Sequence, residues 1–233
     1  MTNTILIGTP IYEGAEPFFE EYLEAVKQQE NNPHILFADN SKTTTFFAML
    51  KSKGLDVIKT EGKDKFERVF ASREAIVKQF LAGTYTHLFW VDADVVLPAN
   101  ALTYLLAADK PIVSGMYLSP FVYPNVSLIH PVAYKLTENV ELRLPLQSPE
   151  IRQGEIKEMH SVGFGCCLIK REVIEKTPLR LIPKTNSTED ILFCVDARKN
   201  GFKTFVHAGV LCRHGMIVKG EKKFIDADKY IRL

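Results

Sequence analysis

The segment Thr86–Pro98, T-H-L-F-W-V-D-A-D-V-V-L-P, constrains this chain more than any other. Leu88, Phe89, Trp90 and Val91 form an unbroken apolar run, which reads as a strand covered on both faces of a sheet. Asp92 and Asp94 follow at once. On an extended chain, residues i and i+2 point to the same side. Two like charges at the end of a buried strand repel each other and resist desolvation. One reading is a polar turn that caps the strand. The other is a divalent cation, which relieves both costs, and carboxylate oxygens suit Mg²⁺ or Mn²⁺. The same letters recur at Asp226-Ala227-Asp228, where only Phe224 and Ile225 precede them in a Lys-rich stretch. That copy reads as solvated surface. The apolar strand in front of Asp92 therefore carries the signal, and it predicts a site at the carboxyl end of a central strand.

The flanking pattern alternates strand and helix. Thr4–Gly8 reads as a strand ended by Thr9-Pro10. A helix opens near Gly14 and Glu16-Pro17, with Phe18, Phe19, Tyr22, Leu23 and Val26 at helical spacing. A strand at His34–Ala38 ends in Asp39-Asn40-Ser41, a helix at Thr43–Lys53 closes on Gly54, and Leu55–Lys59 is a third strand. Such alternation predicts an α/β fold with a mostly parallel sheet and crossover helices. The next helix, about Lys65–Leu81, carries a stripe of Phe66, Phe70, Val77 and Phe80 with Arg73 in its middle. A guanidinium there needs an anion. The candidates are a structural ion pair with Asp39 or Asp92, a ligand phosphate, or a brace on the carboxylates that would hold the cation.

Asn100–Ala108 reads as a helix and Pro111–Met116 as a strand. From 117 to about 160, Pro120, Pro124, Pro131, Pro145 and Pro149 break the pattern. Short hairpins and a binding loop or lid are expected there. In V-G-F-G-C-C-L-I-K, Val162–Lys170, the glycines Gly163 and Gly165 either admit a close approach of backbone to a ligand or mark a bulge. Arg171–Lys176 reads as one or two helical turns. Ser187-Thr188-Glu189-Asp190 opens a helix running to Asn200. Ser187 with Asp190 fits a capping box, which by itself accounts for both acids. Lys203–Val206 and Val210–Arg213 read as strands, ending in His214-Gly215, and 216–233 as a short tail. No internal repeat or linker divides residues 1–233, so one domain is expected.

Composition excludes several classes. A net charge of +1 leaves no nucleic-acid footprint. No apolar run approaches the roughly 18 residues of a membrane span, and the N-terminus lacks a signal-peptide layout. The four cysteines Cys166, Cys167, Cys194 and Cys212 lack zinc spacing and read as reduced core thiols, so a cytoplasmic protein is expected. Asn125-Val-Ser127 and Asn186-Ser-Thr188 match the glycosylation pattern but carry no weight without a secretory route. No G-x-G-x-x-G follows the first strand, which removes a dinucleotide oxidoreductase. V-D-A-D-V-V also fits the aspartyl-nucleophile motif of haloacid-dehalogenase-like phosphatases, but three strands precede it here. A sugar-nucleotide-forming nucleotidyltransferase would want a Gly-rich basic loop after the first strand, and Gly8–Glu13 is neither. A non-catalytic sugar-nucleotide-binding module remains an alternative.

In the order and spacing of these motifs, from about Thr4 to Gly215, the chain resembles the GT-A glycosyltransferases, specifically the inverting family 2-like enzymes. The resemblance implies a sugar transferred from a nucleoside-diphosphate donor to an acceptor hydroxyl of a sugar, lipid-linked sugar or protein. It implies that Thr9, Pro10, Tyr12 and Asp39 hold the nucleotide base, that Arg73 faces the nucleotide, and that Asp92 binds ribose. It implies that Asp92 and Asp94, with His214, hold Mn²⁺ or Mg²⁺ on the diphosphate. Gly163-Phe164-Gly165 would border sugar and acceptor. Asp190 would be the general base, with Glu189 beside it. Leu192-Phe193-Cys194 stands where the family often carries a tryptophan motif, and the loop after Asp39 is short.

Overall fold

The computed structural model describes residues 3–123, 126–136, 143–182 and 188–231. In chain order the elements are β1 (Ile5–Ile11), α1 (Phe19–Lys27), β2 (His34–Asp39), α2 (Thr45–Ser52), β3 (Asp56–Lys59), α3 (Lys65–Ala82), β4 (His87–Val91), β5 (Val95–Val96), α4 (Ala101–Ala107) and β6 (Ile112–Met116). There follow β7 (Leu118–Tyr123), β8 (Val126–Pro131), β9 (Ala133–Leu136), β10 (Arg143–Pro145), β11 (Ile156–Met159), β12 (Ser161–Val162), β13 (Cys166–Lys170) and α5 (Arg171–Lys176). The chain closes with α6 (Glu189–Lys199), β14 (Thr204–Leu211), β15 (Arg213–Val218) and β16 (Glu221–Asp226).

Eight strands form the central sheet in the order β11-β14-β6-β13-β4-β1-β2-β3. β1 pairs parallel with β2 and β4, β2 with β3, and β6 with β14. Only β13, wedged between β4 and β6, and β11 at the edge run the other way. The two-residue period of each strand splits the core into two layers. Ile5 and Ile7 of β1 and Phe89 and Val91 of β4 face α1, α2 and α4. Leu6, Leu88 and Trp90 face the other way, packing with Ile76 and Phe80 of α3 and Phe193 of α6. The unbroken apolar run of β4 is thus accounted for: both faces are covered, and its last four residues, Leu88–Val91, are all fully buried.

Several expectations needed correction. β1 continues through Thr9-Pro10 to Ile11; its pairing with β4 ends at Gly8 and only β2 runs beside Pro10, so the missing N–H breaks no bond to β4. The first helix enters through a 3₁₀ segment, Glu13–Phe18, that contains Pro17. Within the stripe on α3, Phe66 is 53% exposed, and Ile76 with Ser72 takes its place inside. In the 117–160 segment the expected hairpin is present, formed by β7 and β8, and β10, β9 and β12 add a small antiparallel sheet. Residues 216–231 are not a solvated tail. β15 pairs with β5 on one side and with β16 on the other in a small three-stranded sheet, the hairpin turning at Lys219 and Gly220, both with positive φ, as a tight two-residue hairpin requires. Ala227, between Asp226 and Asp228, is buried. All four cysteines are free and buried.

Candidate active site

The site grows from the end of β4. Past Val91 the chain turns: the Asp92 amide donates to the Gly165 carbonyl (3.2 Å), and the Val95 amide to the Asp92 carbonyl (2.9 Å). β5 then pairs antiparallel with β15, setting His214 opposite Val95. The Gly215 amide donates to the Asp94 carbonyl (2.7 Å) and locks this register. His214 Nε2 consequently lies 3.6 Å from Asp94 Oδ1. Its Nδ1 lies 2.7 Å from the Leu118 carbonyl. A carbonyl only accepts, so the Nδ1 proton is fixed and Nε2 is turned toward Asp94. Burial pulls the His214 pKa down, but the Asp94 carboxylate more than offsets this and leaves it raised.

Arg73 of α3 is the second element. Its Nε donates to Glu189 Oε1 (2.7 Å) and its Nη2 to Asp92 Oδ1 (2.9 Å). Arg73 is 3% exposed, and its guanidinium sits 5.0 and 5.1 Å from the rings of Trp90 and Phe164, a cation–π cradle. One cation thus holds together α3, the end of β4 and the start of α6. The ion pair expected with Asp92 is present; the alternative with Asp39 is not. Burial pushes the Asp92 and Glu189 carboxyls up; Arg73 opposes this, while neighbouring carboxylates, Asp190 among them, add to it.

At the start of α6 the two acids differ. Glu189 is buried and committed to Arg73. Asp190 is half-buried; its Oδ1 accepts from the Thr188 hydroxyl and from the Ile191 amide (2.7 Å). Both lie at the positive end of the helix dipole. The capping box expected from Ser187 lies outside the described residues.

A cleft opens beside these groups, lined by Pro10, Tyr12, Asn40, Lys65, Val69, Arg73, Asp92 and Asp94. Of the residues expected to bind substrate, Pro10, Tyr12, Arg73 and Asp92 are in its wall. Thr9 is not: it is fully buried, with its hydroxyl bonded to that of Tyr22. Asp39 is also fully buried, accepting from the Ser41 amide and pairing with Lys59 at 3.0 Å. Gly163 and Gly165 make room for Tyr117. A Cβ at Gly163 would lie 2.0 Å from the Tyr117 hydroxyl, and the Gly165 amide donates to that hydroxyl (3.1 Å). The sequence reading missed Lys65 and Val69, whose only trace is their position in the first turns of α3 after the Asp64 cap. It also missed Tyr117, which no local pattern marks.

Among the described residues no cluster of three or more His, Cys, Asp or Glu side chains is placed to hold a metal ion. The three-ligand set of Asp92, Asp94 and His214 is corrected to this extent: Asp92 Oδ1 is taken by Arg73. Asp94 and His214 remain facing each other. Their 3.6 Å separation is long for a hydrogen bond, and once Nε2 gives up its proton, a carboxylate oxygen beside the imidazole nitrogen suits a cation that draws its other ligands from substrate and water.

No family model and no curated protein matches the chain. Solved structures do. GalNAc-T7, in a crystal with UDP, GalNAc and Mn²⁺, superposes with a TM-score of 0.64 over 94% of this chain at 15% identity. TarS of S. aureus, in complex with UDP-GlcNAc, gives 0.51 over 88% of this chain at 14% identity. The fold is GT-A. A197 from STIV matches end to end, covering 99% of this chain and 97% of its own at a TM-score of 0.51 and 15% identity. The chain spans 45% of the GalNAc-T7 chain and 55% of the TarS chain in that complex. The GT-A architecture places the carboxyl ends of β1 and β4, and so the cleft, at the rim where open α/β sheets bind ligands.

Proposed function

We propose that this protein is an inverting glycosyltransferase that moves a sugar from a nucleoside diphosphate to an acceptor hydroxyl. One observation carries the reading: Arg73 ties Asp92, at the carboxyl end of β4, to Glu189 at the start of α6, and the Asp94–His214 pair flanks the same turn. The GT-A fold supports it, as do the nucleotide and nucleotide-sugar ligands of GalNAc-T7 and TarS. Tyr12, Asn40 and Lys65 wall the cleft that would take the nucleotide. Asp94 and His214 would hold Mn²⁺ or Mg²⁺, which stabilises the charge that develops on the departing diphosphate. Arg73 holds the Asp92 carboxylate in place at the cleft wall. Asp190 takes the proton from the acceptor hydroxyl as it attacks from the face opposite the leaving group. Glu189 braces Arg73 and is not the base, because its near oxygen is already paired. A phosphatase using Asp92 as nucleophile fits less well, since Arg73 occupies its Oδ1.

A thermal-shift panel of UDP, GDP, CDP and TDP, with and without Mn²⁺, tests this. At least one nucleotide should stabilise the fold only when Mn²⁺ is present, by about 2.7 kcal/mol at a hundredfold excess over Kd. Asp94→Ala should remove the effect. Stabilisation by no nucleotide, or an undiminished response in Asp94→Ala, rules the reading out.

A further inference from the structure

A second cavity lies apart from the cleft and shares no lining residue with it. Its walls are Asn100, Tyr104, Gln153, Gly154, His207 and Gly209. Asn100 and Tyr104 stand one turn apart at the start of α4, so their side chains share a face. Tyr104 is 42% exposed, and its ring lies over that of His207, with centroids 6.0 Å apart and planes within 16°.

The imidazole is held in one state. The Gly209 amide donates to His207 Nδ1 (3.0 Å), so that nitrogen is the acceptor and Nε2 carries the proton. Burial lowers the His207 pKa and favours the neutral ring. This fold-back needs glycine: a Cβ at Gly209 would lie 2.8 Å from His207 Cε1. The register of β14 against β6 shifts between His207 and Leu211, a bulge of the sort that re-aims side chains near binding sites. Gly154, in the left-handed region at φ +81°, brings the neighbouring turn to within 3.5 Å of that same Gly209 Cβ position.

The cavity therefore offers an aromatic platform, two amide side chains and one neutral N–H donor, with no charged side chain in its wall. Such a surface suits an uncharged ring with an apolar face and hydroxyls at its rim. We propose that this cavity is a carbohydrate-binding site separate from the cleft, in which a neutral saccharide ring stacks on Tyr104 and bonds Asn100, Gln153 and His207.

Saturation-transfer NMR on the full chain tests this without donor or metal, so its failure leaves the transferase reading untouched. The probes are methyl β-glucoside, methyl β-galactoside, methyl α-mannoside, N-acetylglucosamine, maltotriose and cellobiose, with adenosine as a non-saccharide ring. At least one saccharide should receive saturation on its ring protons. Tyr104→Ala should weaken that binding at least tenfold, while Tyr104→Phe and the cleft variant Tyr12→Ala should leave it within twofold. Tyr104 is exposed enough that its truncation leaves the core intact, which a melting curve of the variant verifies. The proposal is overturned if no saccharide is saturated, if Tyr12→Ala rather than Tyr104→Ala removes the signal, or if only adenosine binds.

Discussion

Two neighbouring acids, Glu189 and Asp190, show how much one residue of displacement changes a carboxylate. Glu189 points into the core and is neutralised by Arg73; Asp190 stays at the rim on the Thr188 hydroxyl and a helix amide. Asp190→Asn should fold and melt like the wild type, because an amide oxygen still accepts both bonds, yet lose about 10²- to 10⁴-fold in kcat. Steady-state transfer assays paired with a melting curve check this. Arg73→Met should behave oppositely. It strands the buried Glu189 without its partner, which costs about 3–5 kcal/mol for a buried pair, and leaves the partly exposed Asp92 unbraced. Adding Glu189→Gln should recover part of that loss, and urea titrations of the single and double variants measure the coupling. At this scale the sequence announced that Arg73 needs an anion. It did not announce Glu189, 116 positions away, because nothing local encodes a partner brought in by tertiary packing. Thr9 and Asp39 were legible as polar residues at strand ends but not as buried ones, since their partners, Tyr22 and Lys59, lie on other elements.

At the scale of elements, strands β1 to β4 and helices α1 to α3 were legible because apolar period and end signals agree there. The β15–β16 hairpin was not. Met216–Lys223 exposes most of its side chains, so it lacks the alternation that marks a half-buried strand, and Lys-rich composition imitates a solvated tail. Yet this hairpin delivers His214. The β4–β13 pairing supplies a prediction about pH. His87 opens β4 in register with Lys170 of β13, and burial first, then the Lys170 charge, lowers its pKa. The unfolded chain binds the proton more readily than the folded one. The stability tied to His87 is therefore complete above pH ~6.5 and drains away as pH falls through the lower folded value. Thermal melts between pH 7 and 5 should decline more gently in His87→Gln than in the wild type. The slope should not vanish, because His207 is shifted the same way by burial.

For the molecule as a whole, the four thiols offer a probe of cooperativity. Cys166, Cys167, Cys194 and Cys212 are all fully buried, and burial pushes Cys194 up to about 12 and Cys167 well above its usual range. A water-soluble aromatic disulfide reagent should label none of them quickly in the native chain and all four after denaturation. A fast phase in native buffer would reveal sub-global opening of the sheet. The guanidinium that ties α3, β4 and α6 has a further consequence for how the protein comes to be active. Asp92 lies only 19 residues on, but Glu189 lies 116 away and His214 later still, so the cleft walls, all from residues 10–94, stand before the ion pair and the Asp94–His214 pair that flank them are complete. Pairings of such long reach are the slow steps of folding. Under the proposed function, nascent chains released before α6 and β15 emerge should lack the Mn²⁺-dependent part of nucleotide binding, and its gain during refolding should mark the last event rather than the first.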